Sequence, residues 1–192
     1  LEDASNWDKH LDLANVASIY KKGDSSNLAN YRPISRLQVL YKILAALIKE
    51  RIDAGIDEFI TKTQYGFRKT KSTAHAIYLA RRLLDLSEKQ GKNFSMILLD
   101  WEKAFDKIDH SRLIEALSRL GIPPKLLTLI TTIYTNPLFR VKQTDNTSTF
   151  RPQNSGIRQG CPLSPYLFVM LMSVIMEDAM KEAKDKMPIN TT

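Results

Sequence analysis

The sequence has little of the chemistry that would make it a disulfide-stabilised or zinc-binding protein. Its one cysteine, Cys161, cannot form an internal disulfide, and its three histidines lack the close spacing of zinc ligands. With 192 residues, of which 43% are hydrophobic and 26% charged, the chain can bury the core of one domain. A secreted disulfide scaffold, a zinc module and wholesale disorder are therefore disfavoured.

Long hydrophobic runs are also absent. The most apolar run is residues 166–176, which is 11 residues long, whereas a helix that spans a bilayer needs about 20. The first ten residues are acidic and polar, unlike the basic and then apolar start of a signal peptide. We therefore expect a protein that is neither secreted nor inserted in a membrane.

Acidic residues are missing from two long stretches, although the chain has 21 Asp and Glu against 28 Lys and Arg and a net charge of +7. Residues 59–84 contain six cationic residues and no acid, and residues 116–176 contain six cationic residues and only Asp145. Basic surfaces of this kind suit polyanions such as nucleic acids, because each neutralised phosphate releases counterions. From charge alone, a solvated basic face is an equally good interpretation.

The hydrophobic periodicity predicts strands mixed with helices, which favours an α+β fold. Predicted strands are Ala14 to Tyr20 and a buried strand from Phe94 that ends at Asp100 and Trp101, and a hairpin pairs 139–143 with 147–151. Five helices are predicted. The first is amphipathic, runs from Leu37 to Phe59 and is broken near Gly55. The others run from a Ser72 cap to Gly91, from a Ser111 cap to Leu120, from Pro124 onward, and from Pro165 to Met180.

One candidate site residue is Asp100, a carboxylate at the end of the predicted buried strand. A hard cation such as Mg²⁺ needs rigidly held oxygen ligands, and the end of a strand provides that rigidity. A single aspartate at a strand end is, however, more typical of a turn or a cap.

Two further segments could contact a ligand. In Ser155 to Pro165, two glycines allow close approach of a ligand, and Gln159 offers both a donor and an acceptor. A plain Gly/Pro turn before a helix explains everything there except the Arg158-Gln159 pair. Around the first turn, Lys21, Lys22 and Arg32 could bind phosphate, and a surface turn with solvated cations is the alternative.

Four motifs in order along the chain resemble the reverse transcriptases of LINE-type, non-LTR retrotransposons. They are Asn-Tyr-Arg-Pro-Ile-Ser at 30–35, Gln-Tyr-Gly-Phe-Arg at 64–68, Asp-x4-Phe-Asp-x2-Asp-His at 100–110 and Gln-Gly-Cys-Pro-Leu-Ser-Pro at 159–165. The resemblance covers about residues 17–176 and agrees in spacing as well as in residue type. It implies a right-hand polymerase fold with fingers at 1–92, a palm strand at 93–111, an insertion at 112–155 and an incomplete palm at 156–192.

The resemblance also implies roles for individual residues. Asp100, assisted by the backbone carbonyl of Trp101, is expected to bind catalytic Mg²⁺ or Mn²⁺. Phe105 is expected to exclude a 2′-OH, although a core phenylalanine is an equally attractive interpretation. The incoming dNTP is expected to contact Lys21 or Lys22, Arg32, Gln159 and Gly160, and the RNA template or DNA primer is expected to contact Arg68, Lys69 and Arg158. Asp106 and Asp109 are family-typical residues, expected to cap a helix or pair with Arg112 as an alternative to binding metal.

The sequence departs from this family in one respect that concerns catalysis. The family carries an adjacent Asp-Asp pair after the helix that follows Pro-Leu-Ser-Pro, and no such dipeptide occurs in these 192 residues. We therefore expect a fragment of an RNA-directed DNA polymerase that is inactive without the rest of the palm and the thumb of a parent polyprotein. The alternatives are a non-catalytic remnant that binds RNA or DNA through its basic fingers, and a protein that has lost the template cleft. The resemblance further implies action in the nucleus.

Overall fold

The computed structural model describes residues 13–55 and 60–186. Two strands open this part of the chain, β1 (Leu13–Tyr20) and β2 (Tyr31–Arg36), and helices α1 (Val39–Asp53) and α2 (Thr73–Gln90) follow. After a long irregular segment come α3 (His110–Arg119) and α4 (Pro124–Tyr134), then three strands and a last helix: β3 (Leu138–Gln143), β4 (Asn146–Thr147), β5 (Arg151–Pro152) and α5 (Ser164–Lys186). This order of strands and helix pairs confirms the predicted mixture of α-helices and β-strands.

Within these residues the strands form one mixed sheet in the order β2-β1-β3-β4, and β5 also pairs with β3. Strand β1 pairs antiparallel with β2, where Val16 lies opposite Ser35, and parallel with β3, where Val16 lies opposite Val141. The parallel pair is formed by strands more than 100 residues apart, so the intervening helices form a crossover. The β1–β2 hairpin therefore lies at one edge of the sheet.

The core lies where α1, α3, α4 and α5 meet. Helix α1 buries Tyr41, Ala45, Ile48 and Ile52 at intervals of three or four residues, the spacing that places side chains on one helical face. The other helices contribute five fully buried side chains, namely Leu113, Leu117, Ile130, Leu167 and Met170. Ile157 and Leu163, in the loop that precedes α5, belong to the same buried cluster.

Of the two predicted N-caps, the one of α2 is confirmed and the one of α3 is wrong. Helix α2 has Ser72 as its N-cap, whose backbone N–H donates to His75 Nδ1 at 3.2 Å, and it ends at Gly91 with a φ of 60°. The N-cap of α3 is Asp109, not Ser111 as predicted, because the Asp109 carboxylate accepts from the Arg112 backbone N–H at 3.0 Å. Helix α1 ends at Asp53, before Gly55, and the predicted continuation over 56–59 lies outside the described residues.

The predicted buried strand from Phe94 to Trp101 is wrong for this structure. Residues 92–100 have no regular secondary structure, and the side chains of Ile97 and Leu98 are 84% and 86% exposed. A β-strand needs a neighbouring strand to satisfy its backbone N–H and C=O groups, and no strand in 13–55 or 60–186 pairs with this segment. The run of residues 94–99 is apolar, as the prediction requires, but it is exposed and not buried in a sheet.

Candidate nucleotide-binding site

The loop at 155–163, which we call the glycine loop, is bonded to the turn at 103–109. The backbone N–H of Gly156 donates to Ile108 O at 2.7 Å, and that of Ile157 donates to Phe105 O at 2.8 Å. Gly156 has a φ of +83°, and a Cβ there would lie 2.9 Å from Asp106 Cα. Only glycine permits this close approach of two backbones.

The other side of the glycine loop lies against β2. The backbone N–H of Ser35 donates to Gln159 O at 2.7 Å. Gly160 has a φ of +114°, and a Cβ there would lie only 2.6 Å from Ser35 O. The predicted motifs at 30–35, 100–110 and 159–165 thus meet at one place, because the glycine loop is held between the other two.

The side chain of Gln159 bonds to Asp106. Its Nε2 donates to Asp106 Oδ1 at 3.0 Å, and the Ser155 hydroxyl donates to the Asp106 backbone carbonyl at 3.2 Å. Gln159 and Asp106 line a cleft of about 180 Å³. Its walls also include residues of the sheet and residues in or just before the glycine loop, namely Val16, Ser35, Phe139, Gln153, Gly156 and Ile157. This cleft holds the polar groups that a small polar ligand would meet.

Phe105 is half-buried and belongs to an aromatic cluster. Its ring is stacked on Phe168 of α5, with centroids 4.9 Å apart and planes 16° apart, and Phe67 approaches edge-on at 6.4 Å. Burial satisfies both interpretations offered by the sequence, a core residue and a residue that contacts the sugar. Its predicted role in sugar selection stays a prediction.

The three cations expected at the triphosphate lie at the same end of the β1–β2 hairpin. Arg32 is an exposed residue of β2 opposite Ile19, and Lys21 and Lys22 follow directly after β1. The hairpin is closed there by the Lys21 N–H, which donates to Asn30 O at 2.9 Å. The structure therefore brings these cations together, and their binding of phosphate stays a prediction.

Two of the three residues expected to contact nucleic acid, the half-buried Arg68 and the exposed Lys69, bind protein groups. Arg68 donates to the backbone carbonyls of Thr61 at 3.1 Å and Gln64 at 3.4 Å, which fixes the conformation of the 61–68 loop. Lys69 forms an ion pair with Asp53 at 2.6 Å, and this hydrogen bond raises the pKa of Lys69. Neither contact was predicted from the sequence.

The third of these residues, Arg158, faces the interior. It is only 1% exposed, and its guanidinium lies over the Tyr41 ring at 5.2 Å. The Tyr41 hydroxyl lies 3.6 Å from Cys161 Sγ, and burial raises the pKa of Tyr41 and of Tyr134 nearby. In this structure Arg158 therefore anchors the glycine loop to α1 and does not present its charge to a nucleic acid.

Asp100 lies in the exposed irregular segment, and the adjacent Trp101 is 52% exposed. Among the residues that the structure describes, no group of three His, Cys, Asp or Glu side chains is arranged to hold a metal ion. A single exposed carboxylate does not hold a divalent ion in a fixed geometry, because such ions need several oxygen ligands. These residues therefore do not form a metal site by themselves.

Asp106 is the site residue whose role the sequence did not reveal. Its neighbour Asp109 caps α3, and the Arg112 side chain pairs with Glu115 at 2.9 Å, so Asp106 pairs with neither the helix nor Arg112. The available signal was its position directly after Phe105 in the Asp-x4-Phe-Asp motif. Its partner, Gln159, is 53 residues away and could not be read from that motif.

Comparison with solved structures shows the class of protein to which this fold belongs. The chain resembles apo telomerase from Candida tropicalis, truncated from its C-terminal domain, with a TM-score of 0.59 at 16% identity, over 90% of this chain and 40% of that one. At this identity the likeness concerns the fold alone. The fold is that of a right-hand polymerase, as the sequence predicted.

Comparison at the sequence level then gives the family. The family model described as reverse transcriptase (RNA-dependent DNA polymerase) matches residues 19–190, so the chain belongs to the reverse transcriptase family. Relatives include the Transposon TX1 uncharacterized 149 kDa protein of Xenopus laevis, 33% identical over 77% of this chain, and the RNA-directed DNA polymerase from mobile element jockey of Drosophila melanogaster, 28% identical over 89%. Another is the Retrovirus-related Pol polyprotein from type-1 retrotransposable element R2 of Popillia japonica, 28% identical over 82%.

These relatives confirm the resemblance to non-LTR retrotransposon reverse transcriptases. The chain spans only 11%, 19% and 22% of the lengths of the TX1, jockey and R2 proteins. In the part of the chain that the structure describes, no helix is long and apolar enough to cross a membrane.

Proposed function

We propose that this chain forms the fingers and the nucleotide-facing part of the palm of an RNA-directed DNA polymerase. The polymerase would extend the 3′-OH of a DNA primer with dNTPs on an RNA template. The division into fingers at 1–92, palm at 93–111 and 156–192 and insertion at 112–155 belongs to the same proposal.

The observation that carries this proposal is the meeting of three distant motifs at the glycine loop. Gln159 bonds through its backbone to Ser35 of β2 and through its side chain to Asp106, next to Phe105. The same hairpin bears Lys21, Lys22 and Arg32 at its end. A nucleotide needs a cationic group for its phosphates, an aromatic surface for its sugar or base, and a polar group for its hydroxyls. The hairpin cations, Phe105 and Gln159 are our candidates for these three groups.

Catalysis needs more than these groups. Reverse transcriptases generally use divalent metal ions, and our candidate ligands are the Asp100 carboxylate and the Trp101 carbonyl, with Mg²⁺ or Mn²⁺ as the ion. Because the described residues offer no cluster of carboxylates, we propose that these 192 residues alone do not synthesise DNA. The complete site would require further carboxylates, which we propose that a longer polypeptide supplies.

An RNA-templated primer-extension assay tests this function. We expect dNTP-dependent extension by a longer polypeptide that carries these residues and an Asp-Asp motif, and none by the 192-residue chain. The short chain should still bind primer-template, with an affinity that falls as salt rises. Extension by the short chain would contradict the proposed inactivity, and no extension by the longer chain would contradict the polymerase.

The second candidate is a non-catalytic remnant that binds RNA or DNA through its basic fingers. The exposed position of Asp100, which belongs to no group of three potential metal ligands in the described ranges, favours it. Salt-dependent binding by a longer polypeptide that never extends a primer would support this candidate. For either candidate we propose action in the nucleus, which imaging of a fluorescent fusion tests.

A further inference from the structure

The geometry points to Asp106 as a positioning residue that fixes the direction of the Gln159 side-chain amide. This inference rests on the proposed function, because it assigns the part of Gln159 that would face a nucleotide. It follows from the 3.0 Å contact between Gln159 Nε2 and Asp106 Oδ1.

The chemistry of the two groups allows only one arrangement of this contact. An ionised carboxylate has no hydrogen to donate and can only accept, whereas an amide has a donating nitrogen and an accepting oxygen. The Gln159 amide must therefore turn its nitrogen toward Asp106. A bond to a charged acceptor is also stronger than a bond between neutral groups, so it holds the amide firmly.

Asp106 is itself held in place by its backbone. Its N–H donates to Lys103 O at 2.9 Å, and its carbonyl accepts from the Ser155 hydroxyl at 3.2 Å. The preceding residue, Phe105, accepts from the Ile157 N–H at 2.8 Å. Because Asp106 and Phe105 are consecutive and both are bonded to the glycine loop, Asp106 fixes Gln159 at a constant position relative to Phe105.

This orientation has a consequence for the ligand. The Gln159 nitrogen carries a second N–H besides the one that it gives to Asp106. Because this nitrogen lies 3.0 Å from the Asp106 carboxylate, Oε1 is the end of the amide that is turned away from Asp106, and as an acceptor it binds a group that donates a hydrogen. A nucleotide has such donors in its sugar hydroxyls and in the N–H groups of its base. The sugar hydroxyl is the better match, because Phe105, the residue expected at the sugar, directly precedes Asp106. A phosphate oxygen is a poor match, because it is itself an acceptor and would lie near the negative charge of Asp106.

Asp106→Asn separates this role from a purely structural one. Asparagine has the same size and can keep a hydrogen bond, but it can donate as well as accept, so the Gln159 amide is free to turn round. In a longer polypeptide that extends primers, we expect an increase in KM for dNTP of about tenfold, with kcat and the unfolding midpoint almost unchanged. A structural role predicts instead that the asparagine variant has the wild-type KM. Asp145→Asn, in the exposed β3–β4 turn, is the matched control for loss of one charge.

A reciprocal exchange provides the second test. In the double variant Asp106→Asn with Gln159→Glu, the asparagine amide donates to one carboxylate oxygen and the other oxygen faces the ligand, as Oε1 does in the wild type. We expect this double variant to recover much of the dNTP affinity lost by Gln159→Glu alone. A double variant no better than the single one would overturn the inference.

Nuclear magnetic resonance on the 192-residue chain keeps the contact testable apart from the function. Asp106→Asn should shift the side-chain amide signals of Gln159, whereas Asp145→Asn should not. Unshifted signals would overturn the contact itself. Shifted signals in a protein whose longer form neither binds dNTP nor extends primers would overturn the proposed function, and the assigned role with it.

Discussion

The glycine loop and the segment at 92–101 differ in how they are held, although each carries one of the predicted site residues. The glycine loop is bonded on one side to the 103–109 turn and on the other to β2, and Ile157 and Leu163 are buried. The segment at 92–101 has no regular structure, and Leu98 is 86% exposed. Gln159 is therefore held by contacts with residues of the turn and of β2, whereas Asp100 lies in an exposed segment without regular structure.

The difference teaches that an apolar run determines its own structure only where partners are supplied. Leu98 and Leu163 are the same residue type, but the sequence predicts a buried strand around Leu98 and a Gly/Pro loop around Leu163. Leu163 is buried in the same hydrophobic cluster as residues of α1 and α5, whereas the 92–101 segment has no neighbouring strand among the described residues. Burial is a property of the contacts and not of the run.

The largest expected effect concerns function in the exposed segment. Asp100→Asn in a longer, active polypeptide should reduce primer extension below detection while leaving the unfolding midpoint unchanged, because the side chain is exposed. Primer extension and urea unfolding measure the two quantities. Asp145→Asn is the matched control. Surviving synthesis would remove Asp100 from the proposed metal ligands.

The next effect compares two leucines. Leu163→Ala should lower the free energy of unfolding by roughly 2–5 kcal/mol, because it leaves a cavity in a fully buried position. Leu98→Ala should change it by less than about 0.5 kcal/mol. Urea denaturation of the two variants decides the matter, and similar losses for both would show that the 92–101 segment is packed in solution.

A smaller effect is expected from two glycines in left-handed conformations. Gly160→Ala should cost roughly 3 kcal/mol, because the new Cβ both strains the backbone and meets Ser35 O at 2.6 Å. Gly121→Ala has a φ of +72° and no atom within 4 Å of its Cβ, so it should cost only about 1 kcal/mol. The difference between the two, measured by denaturation, reports the close approach of the glycine loop to β2. Equal costs would mean that the approach is absent.

The sequence allowed prediction of the fold and of the motifs that meet at the glycine loop, but not of the contacts between them, and the nucleotide-binding roles stay predictions. Local signals identified α2 from Ser72 and Gly91, and motif spacing identified Gln159 and Gly160. The 92–101 segment was misjudged because strand pairing depends on distant backbone. Asp106 and Arg158 were misjudged for a related reason: their partners, Gln159 and Tyr41, lie 53 and 117 positions away, and charge alone does not reveal which side of the chain is buried.

The smallest expected effect is a pH dependence of stability that comes from two aspartates, Asp109 at the start of α3 and Asp178 in α5. Hydrogen bonds from the Ser111 hydroxyl and the Arg112 N–H hold the pKa of Asp109 below its usual range, and Arg119 does the same for Asp178. A carboxyl with a lower pKa in the folded state stabilises the fold fully above its unfolded pKa of about 3.9, and this contribution is lost as the pH falls through the folded pKa. We therefore expect the urea concentration at the unfolding midpoint to decrease when the pH is lowered below about 4, and to decrease less in the double variant Asp109→Asn/Asp178→Asn.

Because both carboxyls are exposed, this pH dependence should become weaker as salt is added. Asp145→Asn controls for net charge, and the same acid sensitivity in the double variant and the wild type would assign the effect to other carboxyls.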